Sequence, residues 1–274
     1  MNKNSTVNFE IQSIKNKTQL TPGLTVILVG NHTPSEIYVR NKELSAKEVG
    51  ISSKVLRFKS SISETKLISV IHKLNRDKKV HGILVQLPLP NHISGHKIIE
   101  EIDPRKDVDG FHAINVGNLS SGKDALVPCT PLGCYLMIKS VRKNLAGLNA
   151  LIIGRSNLNG KPMAQLLLKE DCTVTIGHSK TKNLKELCKK ADIVVAAVGR
   201  ANLVKGDWVK KGAIVIDVGI NRVEKKKGYK IVGDVEFKSV VKKAKAITPV
   251  PGGVGPVTIA CLLNNTLKAF KNIN

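Results

Sequence analysis

Residues 150–162 read ALIIGRSNLNGKP: Ala150–Ile153 is a short apolar run, Gly154 to Gly160 a glycine-bracketed turn, and Lys161-Pro162 sits where a helix would open. Proline is well placed in the first turn of a helix, where its missing N–H costs nothing. A strand that passes through a glycine turn into a helix N-terminus gathers free backbone N–H groups at one point, the layout that holds phosphates. The turn is not G-x-G-x-x-G, because Ser156 replaces the second glycine. Nor is it a P-loop: five residues separate Gly154 from Gly160, and Pro162 stands where a magnesium-binding Ser or Thr would be. It is a variant of a dinucleotide-binding turn.

Outward from this stretch, short β-branched runs alternate with helical periodicity. Strands are expected at Leu24–Val29, Lys54–Phe58, Gly82–Leu87, Ala150–Ile153, Thr173–Ile176, Ile193–Ala197 and Ala213–Asp217. Helices are expected at Ser35–Val49, Ser63–Asn75, Gly95–Glu101, Pro131–Lys143, Pro162–Lys169, Asn183–Lys190 and Gly255–Phe270. Apolar strands with intervening helices imply parallel sheets built from βαβ crossovers, so the class is α/β. A polar break at Gly117–Pro128 divides the chain into two such groups. Two domains are expected, residues 1–120 with 255–274 and residues 121–254. The second is Rossmann-like, and a ligand cleft is expected between them because α/β sheets bind at the carboxyl ends of their strands.

The 274 residues are 42% hydrophobic and 24% charged, with no apolar run near the ~18–20 residues of a membrane span. The N-terminal segment MNKNSTVNFEIQSIKNK lacks the apolar core of a signal peptide, so a cytoplasmic protein is expected. The cysteines Cys129, Cys134, Cys172, Cys188 and Cys261 form no C-x-x-C pair and are expected as free, mostly buried thiols. The net charge of +23 raises the possibility of nucleic-acid binding. The lysines, however, are spread over the whole chain in short runs (Lys189–Lys190, Lys210–Lys211, Lys225–Lys227, Lys242–Lys243), and aromatics are only 3%. A solvated lysine-rich surface fits better, with a field that favours polyanionic small molecules. His92, His96 and Glu100 are spaced by four, but Gly95 interrupts the stretch and no H-E-x-x-H pattern is present, so no metal is expected.

Tyr38 and Lys42 (YVRNK) lie four apart on an expected helix and project the same way. Gln86 sits at the carboxyl rim of the third strand, where Leu87-Pro88-Leu89-Pro90 stops the ladder. Asp107-Val108-Asp109-Gly110 follows a turn, and Thr248–Pro256 (TPVPGGVGP) is a loop rigid at its prolines and bare at its glycines, suited to the wall of a flat ligand.

In order, PGLTVILVG, YVRNK, GILVQLPLP, DVDGF, PCTP, GRS, DVGIN and TPVPGGVGP resemble the bifunctional methylenetetrahydrofolate dehydrogenase/cyclohydrolase family, from Pro22 to Leu267. The resemblance implies NADP-linked oxidation of 5,10-methylenetetrahydrofolate to the 5,10-methenyl form and hydrolysis of that to 10-formyltetrahydrofolate. It makes Lys42 the catalytic lysine, a proton shuttle whose burial beside a cationic substrate would lower its pKa, with Gln86 holding it without adding charge. Tyr38 would stack on the folate rings, and Asp109 would accept from the N–H edge of the pterin. These four form the catalytic group. Leu87, Pro251, Gly252 and Gly253 complete the substrate contacts, while Asp107 reads as structural.

Cofactor contacts are expected from Gly154, Arg155, Ser156, His178, Ser179, Gly219 and Ile220. The second strand of this half ends in Gly177-His178-Ser179-Lys180 with no acidic residue for ribose hydroxyls. Arg155 with a serine hydroxyl suits a 2′-phosphate, which favours NADP over NAD. His178 is also readable as an ordinary loop histidine. Three positions depart from the family pattern: the proline before Tyr38 comes one place late, Asn159 stands where an aliphatic residue is expected, and Val257 replaces a methionine. The partners implied are tetrahydrofolate derivatives, including polyglutamylated ones, with a homodimer expected and neither nucleic acid nor membrane. A shikimate-dehydrogenase-like oxidoreductase and a basic nucleic-acid-binding protein remain as alternatives. Neither needs Tyr38, Lys42, Gln86 and Asp109 together.

Overall fold

The computed structural model describes residues 7–8, 10–14, 20–224 and 228–274. The N-terminal segment read above falls largely, and the Lys225–Lys227 run wholly, outside the described residues. The chain forms two compact units, residues 1–129 with 259–274, and residues 130–258.

In the first unit, β1 (Gly23–Val29) is flanked by β2 (Ser52–Phe58) and β3 (Gly82–Val85), all parallel, in the order β2-β1-β3. Val26 pairs with Val55 on one side and Leu84 on the other. Every residue of GLTVILV is buried, as befits a central strand covered on both faces, whereas β2 exposes alternate residues at the edge. The helices are α1 (Thr33–Glu48), α2 (Glu64–Arg76), α3 (Gly95–Glu100) and α4 (Ala113–Ser120). Helix α2 starts at Ser63, whose hydroxyl accepts from Lys66 N, and sinks Leu67 and Ile71 into a core shared with Ile27, Ile83 and Ile98. Its far end is closed by the buried Lys106, which donates to the carbonyls of Leu74 and Asp77. Helix α4 lies over the start of the segment read as a polar break. The His112 ring caps its N-terminus by accepting from Ile114 N, a cap invisible to a composition argument.

His81 is buried beneath Phe270, ring centroids 4.7 Å apart, and its Nδ1 accepts from Gly23 N at 3.0 Å. Burial holds the imidazole below its ordinary pKa, with the nearby Lys106 charge adding to the effect. A base whose folded pKa is depressed contributes stability above its unfolded pKa of about 6.5, and that stability is lost as pH falls through and below it. Comparing thermal midpoints of wild type and His81→Gln across pH is expected to show a wild-type advantage at pH 8 that shrinks below about pH 6.5. A constant difference would show that His81 does not titrate with unfolding.

In the second unit, α5 (Cys129–Val141) leads to β4 (Asn149–Ile153), then α6 (Gly160–Leu168), β5 (Thr173–Gly177), α7 (Leu184–Lys190), β6 (Ile193–Ala196) and β7 (Ile214–Asp217). The hairpin β8 (Asn221–Glu224) and β9 (Tyr229–Val232), a short α8 (Phe237–Val240) and β10 (Ala246–Ile247) follow. Helix α9 (Val254–Ile273) begins in this unit and ends in the first. The parallel sheet runs β10-β7-β6-β4-β5, so the chain leaves β4 for β5 on one side and returns for β6 on the other. That reversal at β4 is the switch point at which such sheets bind ligands. The hairpin was not legible in the sequence because its strands are short and mostly exposed, and hence lack apolar alternation. The Arg222 guanidinium lies 4.2 Å over the Tyr229 ring across it.

Among the described residues no helix is long and apolar enough to cross a membrane. All five cysteines are buried and lie outside any disulfide.

Candidate active site

The first unit brings Lys42 and Gln86 into contact. Tyr38 and Lys42 lie one turn apart on α1, which follows β1, and Gln86 follows β3, whose end is tied to β1 by Gln86 N donating to Ile27 O at 2.9 Å. Lys42 is 9% exposed, and its Nζ donates to Gln86 Oε1 at 3.0 Å. The other end of the amide donates from Nε2 to the Leu87 carbonyl at 2.8 Å, which fixes the oxygen as the atom facing the ammonium. Leu87 therefore enters this cluster through its carbonyl. Tyr38 is half-buried, and burial raises its phenol pKa, so it stays a neutral hydrogen-bonding ring.

The turn carrying Asp107 and Asp109 is anchored by the first, while the second lies close enough to Lys42 and Cys129 to be influenced by both. Asp107 pairs with Ile83 at the sheet edge, and its carboxylate accepts from Gly110 N (3.1 Å), His112 N (2.8 Å) and Asn115 Nδ2 (3.0 Å). Burial pushes its pKa up to about 6 against the pull of these donors. Its role is structural, in line with the sequence reading. Asp109 keeps some exposure as a residue, yet its carboxyl is enclosed enough that burial raises its pKa. The Lys42 charge and the Cys129 thiol act in the opposite direction. The carboxylate and the ammonium thus feel each other within one cluster.

Asn265 on α9 supports this turn and escaped the sequence reading. It is 2% exposed and donates from Nδ2 to Val108 O (2.9 Å) and Val127 O (2.8 Å), with Cys129 Sγ at 3.6 Å. Cys129 Sγ itself donates to Val108 O at 3.2 Å. The available signal was an amide three residues after Leu262 and four before Ala269, on the buried face of an apolar helix. Burial, with the Asp109 charge next to it, pushes the Cys129 thiol well above its ordinary range, so it is a packed thiol and not a nucleophile.

In the second unit, Gly154 follows β4 at φ 128°, and a Cβ there would lie 2.4 Å from Ala197 O. A Cβ on Gly160 would lie 2.1 Å from Gly154 O, so only glycine lets the start of α6 close on the turn. The Ser156 hydroxyl accepts from Asn159 N at 3.1 Å and shapes the loop. Asn159, Gly160, Met163, Ala197 and Val218 line a mainly apolar pocket at the carboxyl ends of β4 and β6.

Gly154 N donates to Gly177 O, so Arg155 and His178 each begin one residue beyond paired strand ends. Arg155 and Ser179 are exposed. The half-buried His178 is engaged locally: its backbone N–H donates to Thr181 Oγ1 and its ring Nδ1 accepts from Lys180 N. Gly219 N donates to Asp217 Oδ1, and Ile220 beside it is 56% exposed. The turn with Pro251, Gly252 (φ 96°) and Gly253 also belongs to this unit. Gly253 abuts Pro249 O, which a Cβ would approach to 2.4 Å.

The histidine spacing noted above does not converge. His92 bonds the Ile62 carbonyl and Glu100 accepts from Ala113 N, and among the described residues no group of three or more His, Cys, Asp or Glu is arranged to hold a metal.

Residues 2–109 match the tetrahydrofolate dehydrogenase/cyclohydrolase catalytic domain, and residues 128–274 the NAD(P)-binding domain of the same family. The bifunctional protein FolD of Pelagibacter ubique is 63% identical over 262 residues, covering 96% of this chain and 92% of that one. The solved bifunctional FolD methylenetetrahydrofolate dehydrogenase/cyclohydrolase of Campylobacter jejuni is 48% identical with TM-score 0.95, covering 98% and 95% of the two chains. FolD of Trypanosoma brucei, solved with NADP cofactor and inhibitor, is 37% identical with TM-score 0.95, covering 98% and 94%.

Proposed function

The chain belongs to the tetrahydrofolate dehydrogenase/cyclohydrolase family, and from that premise we propose how its residues divide the work. The enzyme oxidises 5,10-methylenetetrahydrofolate to 5,10-methenyltetrahydrofolate with NADP and hydrolyses the product to 10-formyltetrahydrofolate. The bond between Lys42 Nζ and Gln86 Oε1 is the observation that carries the assignment within the first unit.

Hydrolysis adds water to the cationic methenyl carbon, breaks its bond to N5, places one proton on N5 and releases another. Lys42 moves the proton between the attacking water and the ring nitrogen, in the manner of a positioned acid–base group. Gln86 orients that group through a neutral oxygen, which adds no charge beside it. Asp109, an acceptor-only carboxylate when ionised, takes the N–H edge of the pterin, and Tyr38 stacks on the ring system. Leu87 completes the substrate contacts. The assignment of Pro251, Gly252 and Gly253 to substrate binding rests on the family resemblance alone.

NADP supplies the hydride acceptor when bound. The tight approach of Gly160 to Gly154 O suits a dinucleotide phosphate, because a side chain at either position would push the turn apart and spoil the gathering of backbone N–H groups at the start of α6. Gly154 and Ser156 provide the phosphate turn, and Arg155 with Ser179 recognises the 2′-phosphate next to His178. Gly219 and Ile220 face the nicotinamide side. Hydride transfer asks the protein for alignment and exclusion of water more than for proton transfer. Gly160→Ala is expected to raise the KM for NADP at least about tenfold while sparing hydrolysis of added methenyltetrahydrofolate. Equal KM values would remove this turn from the phosphate site.

The function itself is tested by mixing the purified protein with methylenetetrahydrofolate and NADP and following NADPH and methenyl product separately by absorbance. NADPH with only transient methenyl is the expected result. Accumulating methenyl would leave the dehydrogenase alone. We further place the enzyme in the cytoplasm as a homodimer that also accepts polyglutamylated folates, with no nucleic-acid or membrane partner. Five reduced thiols suit a reducing compartment, and the charge of +23 suits anionic glutamate tails. Sedimentation equilibrium checks the dimer.

A further inference from the structure

Asp234 follows β9 and is fully buried, and no motif in the sequence singles it out. Its Oδ2 accepts from Val198 N at 2.6 Å and Gly199 N at 3.0 Å. Its Oδ1 accepts from Arg200 N at 2.8 Å and Asn221 Nδ2 at 2.9 Å. Three consecutive backbone donors from the segment after β6 thus close on one carboxylate. The same carboxylate forms the wall of the next segment: a Cβ on Gly219 would lie 2.3 Å from Asp234 Oδ1. Ile220 is therefore held from both sides, by Gly219 pressed against Asp234 and by Asn221 bonded to it.

Asp234 is itself held by a second buried carboxylate. Asp217, at the end of β7, accepts from Asp234 N (2.8 Å), Val235 N (2.9 Å) and Gly219 N (3.0 Å). Gly233 leaves no room for a side chain there, since a Cβ would lie 1.8 Å from Asp217 Oδ2. Burying two carboxylates side by side is costly unless their acceptors are filled, and here backbone N–H groups fill them. The hydrogen bonds bind the carboxyl ends of β6 and β7 into one rigid rim.

We propose that Asp234 is a positioning residue for the dehydrogenase, which sets the segment Val198–Arg200 and Ile220 where the nicotinamide half of NADP must lie. This rests on the cofactor reading given above and adds to it a residue that does not touch the cofactor. Its role is separable from general stability because hydrolysis of methenyltetrahydrofolate needs no hydride acceptor, so one protein carries its own control.

The test is Asp234→Asn in the full chain, with both activities, the KM for NADP and the thermal midpoint measured on the same preparation. Whichever oxygen becomes the amide, two donors lose their acceptor. The expected result is a rise of roughly ten- to a hundredfold in KM for NADP, with hydrolysis of added methenyltetrahydrofolate retained. Asn221→Ala removes one donor only and is expected to shift the same KM by a smaller factor, which also decides the matter if Asp234→Asn does not fold. Equal losses of both activities in Asp234→Asn, with Asn221→Ala silent, would overturn the proposal in favour of a structural role. An unchanged NADP KM in Asp234→Asn, beside a raised one in Ile220→Ala, would also overturn it and leave the cofactor reading standing. If Ile220→Ala and Arg155→Ala both left the NADP KM unmoved, the cofactor reading itself would fall.

Discussion

Lys42→Met is expected to lower the hydrolysis of methenyltetrahydrofolate by at least about 10²–10⁴-fold, the usual contribution of a positioned acid–base group, while hydride transfer persists. Methionine keeps most of the lysine volume, so the packing of α1 on β1 survives and the loss is chemical. The variant leaves Gln86 Oε1 without its donor and Asp109 without the charge that opposes its burial, so affinity for folate is expected to fall modestly in both reactions. The two activities are read separately, one by NADPH formation from the methylene substrate and the other by decay of added methenyl. Accumulation of methenyl product in the coupled assay would be the clearest signature. Unchanged decay would exclude Lys42 from the proton path and shift attention to Tyr38.

Arg155→Ala is expected to raise the KM for NADP roughly ten- to a hundredfold, as removal of charge-assisted hydrogen bonds does, and to leave the KM for NAD little changed. Arg155 is exposed at the end of β4, one residue past the glycine that bonds the end of β5, so its loss disturbs no buried contact. The contrast between the two cofactors isolates the 2′-phosphate, because everything else in the dinucleotide is shared. Raising ionic strength is expected to reduce the wild-type preference for NADP, since the pairing is made in solvent. Equal effects of the substitution on both cofactors would refute the assignment to the 2′-phosphate.

The parallel sheets were legible because their central strands are buried runs bounded by turns, a pattern that survives in one dimension, whereas β2 and β5 at the edges expose much of their length. GLTVILV and ALII can do little else in a soluble chain. The candidates Lys42, Gln86 and Asp109 were picked out only through the order of motifs around them, since Lys42 and Gln86, which the fold brings into contact, lie 44 residues apart. Asn265, Asp217 and Asp234 were not picked out as site-shaping residues. Their partners are backbone N–H and C=O groups, which every residue carries and no sequence pattern marks. Helix α4 and the β8-β9 hairpin escaped for a different reason: one depends on a histidine cap and the other exposes most of its residues, so neither has the apolar period that betrays an element. His178 stands at a suggestive position, and its Nδ1 accepts from Lys180 N within its own turn.

The division of the first unit between residues 1–129 and 259–274 has a consequence for the order of events on the ribosome. Residues 130–258 emerge as one uninterrupted stretch and can close their sheet while translation continues. The earlier segment must wait, since Asn265, Thr266 and Phe270, which brace the Asp109 turn, Gly82 and His81, are made only after that stretch. Until then the nascent chain holds β1 to β3 without their final helix, a partly open core that exposes apolar surface. The unit of residues 130–258 is thus complete first, and the unit that carries Lys42, Gln86 and Asp109 closes only once residues 259–274 have followed.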